Sequence, residues 1–304
     1  MNILGKRYIF FALSLLIIIP GLVILLAGGV PLSVDFTGGS LLEVTFTDAS
    51  PQPGDILAVY EDANIEDVQV QTTDTGSFVI RSQFLDNDQR DDTLAALSQE
   101  IGQVEVVRFD SVGPSIGEQV TSRAAIAVAV SSLLVVLFIA WSFRGVQNAF
   151  RYGVCAILAM IHDVGIIFAM TGFGAWLLGW EIDSLFLTAL LTVIGFSMQD
   201  TIVVFDRIRE NSNIYRRLDF ETLVNHSIVQ TLQRSINTQL MTVEFLLLAL
   251  VMFGGVTLQE FASILLIGLL SGTYSSIFIA APILVLWEKK EWRNWFKRPD
   301  QVQA

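Results

Sequence analysis

Residues 184–205 read SLFLTALLTVIGFSMQDTIVVF, and Asp200 is the only ionisable residue in this run. The run is about as long as an α-helix must be to cross the hydrocarbon core of a bilayer, roughly 20 residues. A charged side chain at that depth costs on the order of 2.5–3.5 kcal/mol to insert, so such residues usually have a functional role. The stretch therefore predicts a membrane helix that carries one carboxylate.

Apolar runs of similar length recur along the chain. Of its 304 residues, 53% are hydrophobic and only 16% are charged, which indicates an integral membrane protein. The predicted membrane segments are a first helix within residues 1–30 and five more within residues 123–288, at about 124–143, 152–173, 184–205, 236–253 and 261–287. The first run is too long for a signal-peptide core and has no A-x-A-like cleavage site before Pro31, so we expect a retained anchor helix.

The charged residues predict how these helices are oriented. Residues 31–122 hold more than half of the chain's 30 acidic residues but only three of its 18 basic ones. Most other basic residues lie before the first helix, after the second, in the loop 206–233 and in the tail 289–304. By the positive-inside rule these segments face the cytoplasm, so both termini are predicted inside and residues 31–122 outside. An acidic outer domain also argues against a nucleic-acid partner.

The outer segment has the changing periodicity of a folded α+β domain. Alternating or apolar strand patterns and helical patterns follow one another at residues 34–46 (strand), 53–63 (helix), 67–72 (strand), 78–84 (strand), 88–101 (helix) and 104–109 (strand). The order β-α-β-β-α-β is that of a ferredoxin-like split βαβ unit. We predict a membrane all-α six-helix bundle with an extracytoplasmic α+β ferredoxin-like domain. That domain is either a binding module or a compact spacer.

Glycine-containing turns flank this domain. Asp35 begins the sequence DFTGGS, which contains the pair Gly38 and Gly39, and Gly113 and Pro114 lie just before the second membrane helix. A glycine pair allows a tight turn or a close backbone approach, but the third glycine and flanking helix of a nucleotide-binding loop are missing. We interpret both turns as hinges between the domain and the membrane.

Two further segments predict helix contacts. The loop 206–233 has apolar residues at helical spacing, which favours an amphipathic helix on the membrane surface over a partner-binding helix. Gly268 and Gly272 form a G-x-x-x-G pattern beside several serines and threonines, which indicates close helix packing rather than a ligand site.

Ionisable residues in or at the start of the predicted membrane helices are Asp163 with neighbouring His162, Asp200, Arg234 and Glu244. We interpret His162 as a hydrogen-bonding or packing residue rather than a metal ligand, because the only other histidine is in the loop. The chain has a single cysteine, so an intrachain disulfide is excluded and a structural metal site is not expected.

The fifth predicted helix carries a polar face. Arg234, Asn237 and Thr238 lie at i, i+3 and i+4 on one side of the helix, and Glu244 lies at the edge of the same stripe. A face of this kind cannot point at lipid, so we expect it to contact other helices or a wet cavity.

Asp200 is the carboxylate best placed by depth to pair with Arg234, and Gln199 lies next to it. Arg cannot lose its proton at accessible pH, whereas the pKa of a buried carboxylate is raised by burial and lowered by a nearby Arg. The pair is predicted to be a proton site, in which protonation of Asp200 releases Arg234 toward Glu244 or Asp163. A static ion pair that fixes helix register is the alternative, and hydroxyl neighbours leave sodium open as the bound ion.

These residues resemble the SecF family, the smaller half of the SecDF accessory complex of bacterial protein export. The resemblance rests on DFTGGS at 35–40, VGP at 112–114, the run that contains DTIVVFDRIREN at 200–211, and RSINT at 234–238. It covers nearly the whole chain. Departures from the family pattern are Phe196, Gln199, Gln239 and Glu244, and Glu244 leaves the coupling ion and the number of titrating groups open.

The resemblance implies half of an RND-like transporter fold in the bacterial cytoplasmic (inner) membrane. It implies SecD as obligate partner, contacts with the SecYEG translocon and with YajC and YidC, and an outer domain that contacts the translocating preprotein. It also places Asp200 and Arg234 in the site that uses the proton-motive force, with no cofactor and no hydrolytic chemistry of its own. Competing hypotheses are half of an RND-type exporter of small molecules or lipids, and a passive assembly factor for SecYEG.

Overall fold

The computed structural model describes residues 3–73, 76–144, 149–239, 245–253 and 256–291. The chain divides into two compact units, a helical unit made of Met1–Pro31 with Val128–Ala304 and an α/β unit made of Leu32–Ala127. The helix α5 (Pro114–Ser142) runs from the second unit into the first.

The helical unit is built from long apolar helices. Its described elements are a 3-10 turn Leu4–Lys6, α1 (Arg7–Ala27), the end of α5, α6 (Ala149–Leu178), α7 (Ser184–Ile214), α8 (Phe220–Gln239), α9 (Phe245–Phe253), α10 (Val256–Ser275), a π-helical turn Ser276–Ala280 and α11 (Ala281–Glu288). Helices long and apolar enough to cross a membrane occupy Leu4–Ala27, Pro114–Ser142, Ala149–Leu178, Ser184–Ile214 and Leu258–Glu288.

The predicted fifth span, residues 236–253, lies only partly within the described chain. Its start belongs to α8 and its end is α9, while residues 240–244, including Glu244, lie outside the described residues. The helix predicted within residues 206–233 is divided between two elements, because α7 continues nine residues beyond Phe205 and α8 begins at Phe220. α8 is therefore a continuous helix that leads from the predicted loop toward the predicted span.

Close backbone approaches, made possible by glycines, hold the helices together. A Cβ on Gly21 of α1 would lie 2.5 Å from the Ala169 carbonyl oxygen of α6, and a Cβ on Gly172 would overlap the Gly21 carbonyl oxygen. A Cβ on Gly272 of α10 would lie 3.1 Å from the Ser197 Cα of α7. The helix contact predicted from the G-x-x-x-G pattern is confirmed, and its partner is α7.

Replacing Gly172 with Val should weaken the packing of α1 on α6. The added side chain meets backbone rather than a movable side-chain end, so overpacking of this kind should cost about 1–3 kcal/mol. The measurement is the unfolding midpoint of the purified chain in a bilayer mimic. Gly195→Ala of α7 is the matched control, because nothing lies within 4 Å of the added methyl group; an equal drop in both variants would contradict the prediction.

The α/β unit has the predicted order of strands and long helices. It contains α2 (Val34–Thr37), β1 (Gly39–Phe46), α3 (Pro53–Asp62), β2 (Gln69–Thr72), β3 (Phe78–Ser82), α4 (Asn87–Glu100), β4 (Val104–Val112) and the start of α5. The strands form an antiparallel sheet in the order β2-β3-β1-β4, in which Leu42 pairs with Ile80 and with Phe109. Side chains of β1, β3, α3 and α4 form the core, including Leu42, Ile56, Tyr60, Ile80 and Leu97.

The predicted start of the first strand was wrong. The alternation that begins at Val34 predicted a strand there, but residues Val34–Thr37 form a single helical turn. Ser33 caps this turn, since its hydroxyl accepts a hydrogen bond from the Asp35 amide, and Gly38 ends it with a φ of 73°. The strand starts only after this turn, at Gly39.

Candidate functional site

Asp163 is the centre of a polar cluster between three helices. Its carboxylate, on α6, is 1% exposed and accepts hydrogen bonds from the hydroxyls of Ser197 of α7 at 2.5 Å and of Ser271 and Ser275 of α10 at 2.6 Å each. His162 Nδ1 lies 3.0 Å from the same carboxylate. The Asp163 carboxyl group therefore joins α6 to α7 and α10 through hydrogen bonds.

The local sequence explains how the donors converge. Ser271 and Ser275 are four residues apart and therefore lie on one face of α10. Gly268 and Gly272 on the same helix remove side chains that would meet Val193 and Ser197 of α7. The serines had been interpreted as packing residues only. Their i, i+4 spacing beside two glycines was the signal that could have indicated a shared acceptor.

Asp200 lies one helical turn beyond Ser197 on α7. Its side chain is buried, with the residue 5% exposed, and Thr273 Oγ1 of α10 lies 3.3 Å from its Oδ2 in donor geometry. Thr273 is two residues from both Ser271 and Ser275, so the same segment of α10 provides hydroxyl donors to both buried carboxylates. The structure thus brings together Asp163 and Asp200, two of the residues predicted from the sequence.

Arg234 does not join this cluster. Among the described residues it forms no ion pair with Asp200, and it is exposed in the isolated chain, as are Asn237, Thr238 and Gln199. Arg234 instead lines a cavity of about 460 Å³ together with Asp206, Arg207, Glu210, Gln230 and other residues of α7 and α8. The predicted pairing of Asp200 with Arg234 therefore stays a prediction.

One exposed face of α8 is polar. Arg234, Asn237 and Thr238 share a helical face that the described residues of this chain leave open. Placing an unpaired guanidinium against lipid is costly. The face therefore requires water or a further protein surface.

A second polar network joins the start of α1 to α8 and to the end of α11. Arg7 donates to Glu221 at 2.9 Å and to Glu291 at 2.7 Å, and Lys289 donates to Glu221 at 2.6 Å and lies 3.4 Å from Asp219. The hydrogen bond from Lys289 holds the pKa of Glu221 below its ordinary value. The same bond raises the pKa of Lys289.

This network predicts an acid-sensitive attachment of α8. Because the folded pKa of Glu221 is lowered, its stabilising contribution is complete above the ordinary Glu value of about 4.3 and is lost as pH falls through the lowered value. Amide protection of α8 should therefore decrease on acidification, and Glu221→Gln should already lower it at neutral pH and weaken its pH dependence. Glu210→Gln, which removes an exposed ion pair with Arg207, is the control. Identical pH profiles in wild type and Glu221→Gln would contradict this.

The predicted hinge glycines form a close-packed junction within the α/β unit. Gly38 and Gly39 have φ values of 73° and 114°. A Cβ on Gly38 would lie 3.0 Å from Pro114 Cα, and a Cβ on Gly117 would lie 2.7 Å from the Gly38 nitrogen. The Gly113 carbonyl accepts the Gly117 amide hydrogen bond at the start of α5. The two ends of the unit therefore meet at these turns, and their role as hinges stays a prediction.

These features define a multi-spanning membrane protein that buries two carboxylates between apolar helices and carries a separate α/β unit. Residues 93–290 match the family described as "Protein export membrane protein SecD/SecF, C-terminal", and residues 23–49 match the "SecD/SecF GG Motif". The chain belongs to the SecD/SecF family of protein export membrane proteins.

Relatives and solved structures agree with this assignment. The chain is 61% identical to the protein translocase subunit SecF of Anaerolinea thermophila, over 98% of this chain and 97% of that protein. It is 43% identical to the SecF of Thermobaculum terrenum, over 100% and 99%. The crystal structure of SecDF, a translocon-associated membrane protein from Thermus thermophilus, superposes with a TM-score of 0.80 at 32% identity, over 95% of this chain and 39% of that one. The chain thus spans well under half of the SecDF polypeptide.

Proposed function

We propose that this chain couples the proton-motive force to the movement of exported polypeptides through a SecYEG translocon, as one half of a complex with SecD. The observation that carries the proposal is Asp200, a carboxylate buried in an apolar membrane helix. A buried carboxylate can bind and release a proton at the expense of helix packing, which is the elementary step of proton-driven movement. The chain contributes this step and has no hydrolytic chemistry of its own.

The SecD partner is supported by the open polar face of α8. Arg234, Asn237 and Thr238 are exposed in the isolated chain, and a facing membrane helix of the partner would cover them. In Thermus thermophilus a single SecDF polypeptide matches this chain over only 39% of its length, which leaves room there for the complementary half. In the assembled complex, closure of this face would bring Arg234 to the neighbourhood of Asp200 when the carboxylate is ionised.

The arrangement in the membrane is part of the proposal. We place six membrane helices in the bacterial inner membrane, with both termini in the cytoplasm and the α/β unit outside. The sheet order β2-β3-β1-β4 and two covering helices support a ferredoxin-like classification of that unit. On the outside it would contact the emerging preprotein, and YajC and YidC are further candidate partners.

The proposal is tested in vesicles that contain the chain, SecD and SecYEG with a translocating polypeptide arrested midway. An imposed pH gradient should speed release of the polypeptide, and a sodium gradient of equal size should not. A response to sodium alone would mean that sodium, and not the proton, is the coupling ion, with Asp200 still as its binding site. Release that is indifferent to both gradients, with the complex assembled, would support a passive assembly factor and overturn the proposal.

A further inference from the structure

A chain of hydrogen bonds runs from Asp163 to the first helix. His162 Nδ1 lies 3.0 Å from Asp163 Oδ1, and His162 Nε2 lies 2.9 Å from the Ser14 hydroxyl of α1. Ser14 is 3.3 Å from the hydroxyl of Tyr274 on α10, which in turn is 2.9 Å from the Phe10 carbonyl oxygen of α1. The proposed function does not use this series of hydrogen bonds, which leads away from Asp200.

The direction of each bond follows from the number of protons available. The Phe10 carbonyl can only accept, so Tyr274 donates its single hydroxyl proton to it. Tyr274 must then accept from Ser14, which has one hydroxyl proton to give. Ser14 is left as an acceptor toward His162, so Nε2 must carry a proton.

A second proton must lie between His162 and Asp163. With Nε2 protonated, the Nδ1 to Oδ1 bond forms only if Nδ1 also carries a proton beside a carboxylate, or if the carboxyl is protonated beside a bare Nδ1. Three serine hydroxyls already donate to Asp163, which favours the imidazolium and carboxylate form. In either form the pair holds one proton more than a neutral imidazole beside a free carboxylate.

We propose that His162 and Asp163 together form a proton-binding site separate from Asp200, and that its occupancy sets the hydrogen bonds between α1 and α10. When the site empties, the Nε2 proton leaves to water and the remaining imidazole proton stays on Nδ1, facing the carboxylate. Nε2 is then a bare acceptor and accepts a hydrogen bond from the Ser14 hydroxyl. The bond from Ser14 to Tyr274 is lost, and of the two hydrogen bonds described between α1 and α10 only the one from Tyr274 to Phe10 remains.

The pair lies beside an apolar cavity and an aromatic ring. His162 and Ser14 line a cavity of about 660 Å³ whose other walls are apolar side chains of α1, α6, α11 and the π-helical turn. The ring of Tyr274 stacks on His162 with centroids 5.9 Å apart. Asp200, one turn of α7 from Ser197, is a further ionisable group on a packed helix. Among the described residues, the hydrogen-bond partners that α1, α7 and α10 contribute to the pair are the hydroxyls of Ser14, Ser197, Ser271 and Ser275.

The test is the protonation state of the two nitrogens of His162, read by ¹⁵N NMR on the full chain in lipid bilayers. The chain has only two histidines, so His226→Gln leaves a single signal set. We expect both nitrogens protonated at the acid end, and the form protonated only on Nδ1 at the alkaline end, of the pH range over which the chain stays folded. One unchanged form across that range would overturn the proposal.

A second variant tests whether protonation of His162 and Asp163 is coupled to the hydrogen bonds of α1. Tyr274→Phe removes the acceptor of the Ser14 hydroxyl, which is then available to Nε2, so the Nδ1-only form should gain population several-fold at any pH within the transition. Tyr8→Phe is the matched control, because its hydroxyl bonds Glu291 instead. Equal populations in both variants would overturn the coupling. The measurement uses neither a gradient nor an exported polypeptide, so its outcome is independent of the proposed function.

Discussion

Asp200→Asn should reduce gradient-driven release of a translocating polypeptide to the rate seen without a gradient, while the protein still inserts and still binds its partner. Asparagine has nearly the same volume and can hydrogen bond with Thr273, so the packing of α7 on α10 is kept. It cannot bind and release a proton near neutral pH, and the coupling step is therefore removed. The measurement is the ratio of release rates with and without the imposed pH gradient.

Asp206 supplies the matched control for this experiment. It lies on the same helix six residues further on, its side chain is 59% exposed, and it pairs with Arg209 at 2.9 Å. Exposed pairs of this kind contribute about 0–1 kcal/mol, so Asp206→Asn should leave the ratio almost unchanged. Arg234→Met should lower the ratio as Asp200→Asn does, and Arg234→Lys should preserve part of it. Equal effects at Asp200 and Asp206 would contradict a special role for the buried carboxylate.

The fold was largely predictable because most of its signals are local. Apolar run length predicted the long membrane helices, and alternation with turn residues predicted the order of the strands and helices in the α/β unit. The helical turn at Val34–Thr37 was missed because its four residues are far fewer than the roughly 11–18 over which a helical pattern can be recognised. Its signals were the capping Ser33 and Gly38, and both belong to turn chemistry rather than hydrophobic pattern.

The site was only partly predictable because its contacts are distant in sequence. Asp163 and Asp200 were predicted as site residues because burying a charge in a membrane helix is costly, and both are buried. The donors to Asp163 come from residues 34, 108 and 112 positions away, which no local spacing reveals. The expected ion pair of Asp200 with Arg234 rested on depth along the membrane normal. Depth does not determine which way a side chain points around its helix, and Arg234 is exposed and lines the cavity that contains Asp206 and Arg207.

Gly39→Ala should destabilise the sheet of the α/β unit by about 2–5 kcal/mol, through backbone strain and a clash together. Gly39 has a φ of 114°, a conformation that residues with a Cβ rarely adopt, and it pairs with Val112 at the start of β1. Its Cβ would lie 2.7 Å from the Ser82 carbonyl oxygen on β3, which is fixed by the sheet. The measurement is the opening free energy of the β1 and β3 amides by hydrogen exchange on the full chain.

Two other glycines of the same unit separate the two causes. Gly76 has a φ of 82° but nothing within 4 Å of an added Cβ, so Gly76→Ala should cost only the strain, about 1–2 kcal/mol. Gly54 has open space and an ordinary backbone at the start of α3, so Gly54→Ala should be neutral or stabilise by up to about 1 kcal/mol. If Gly39→Ala were no worse than Gly76→Ala, the approach of β1 to Ser82 would be loose enough to admit a methyl group. The glycine pair would then serve as a flexible turn, as the sequence alone suggested, rather than as a junction set by contact.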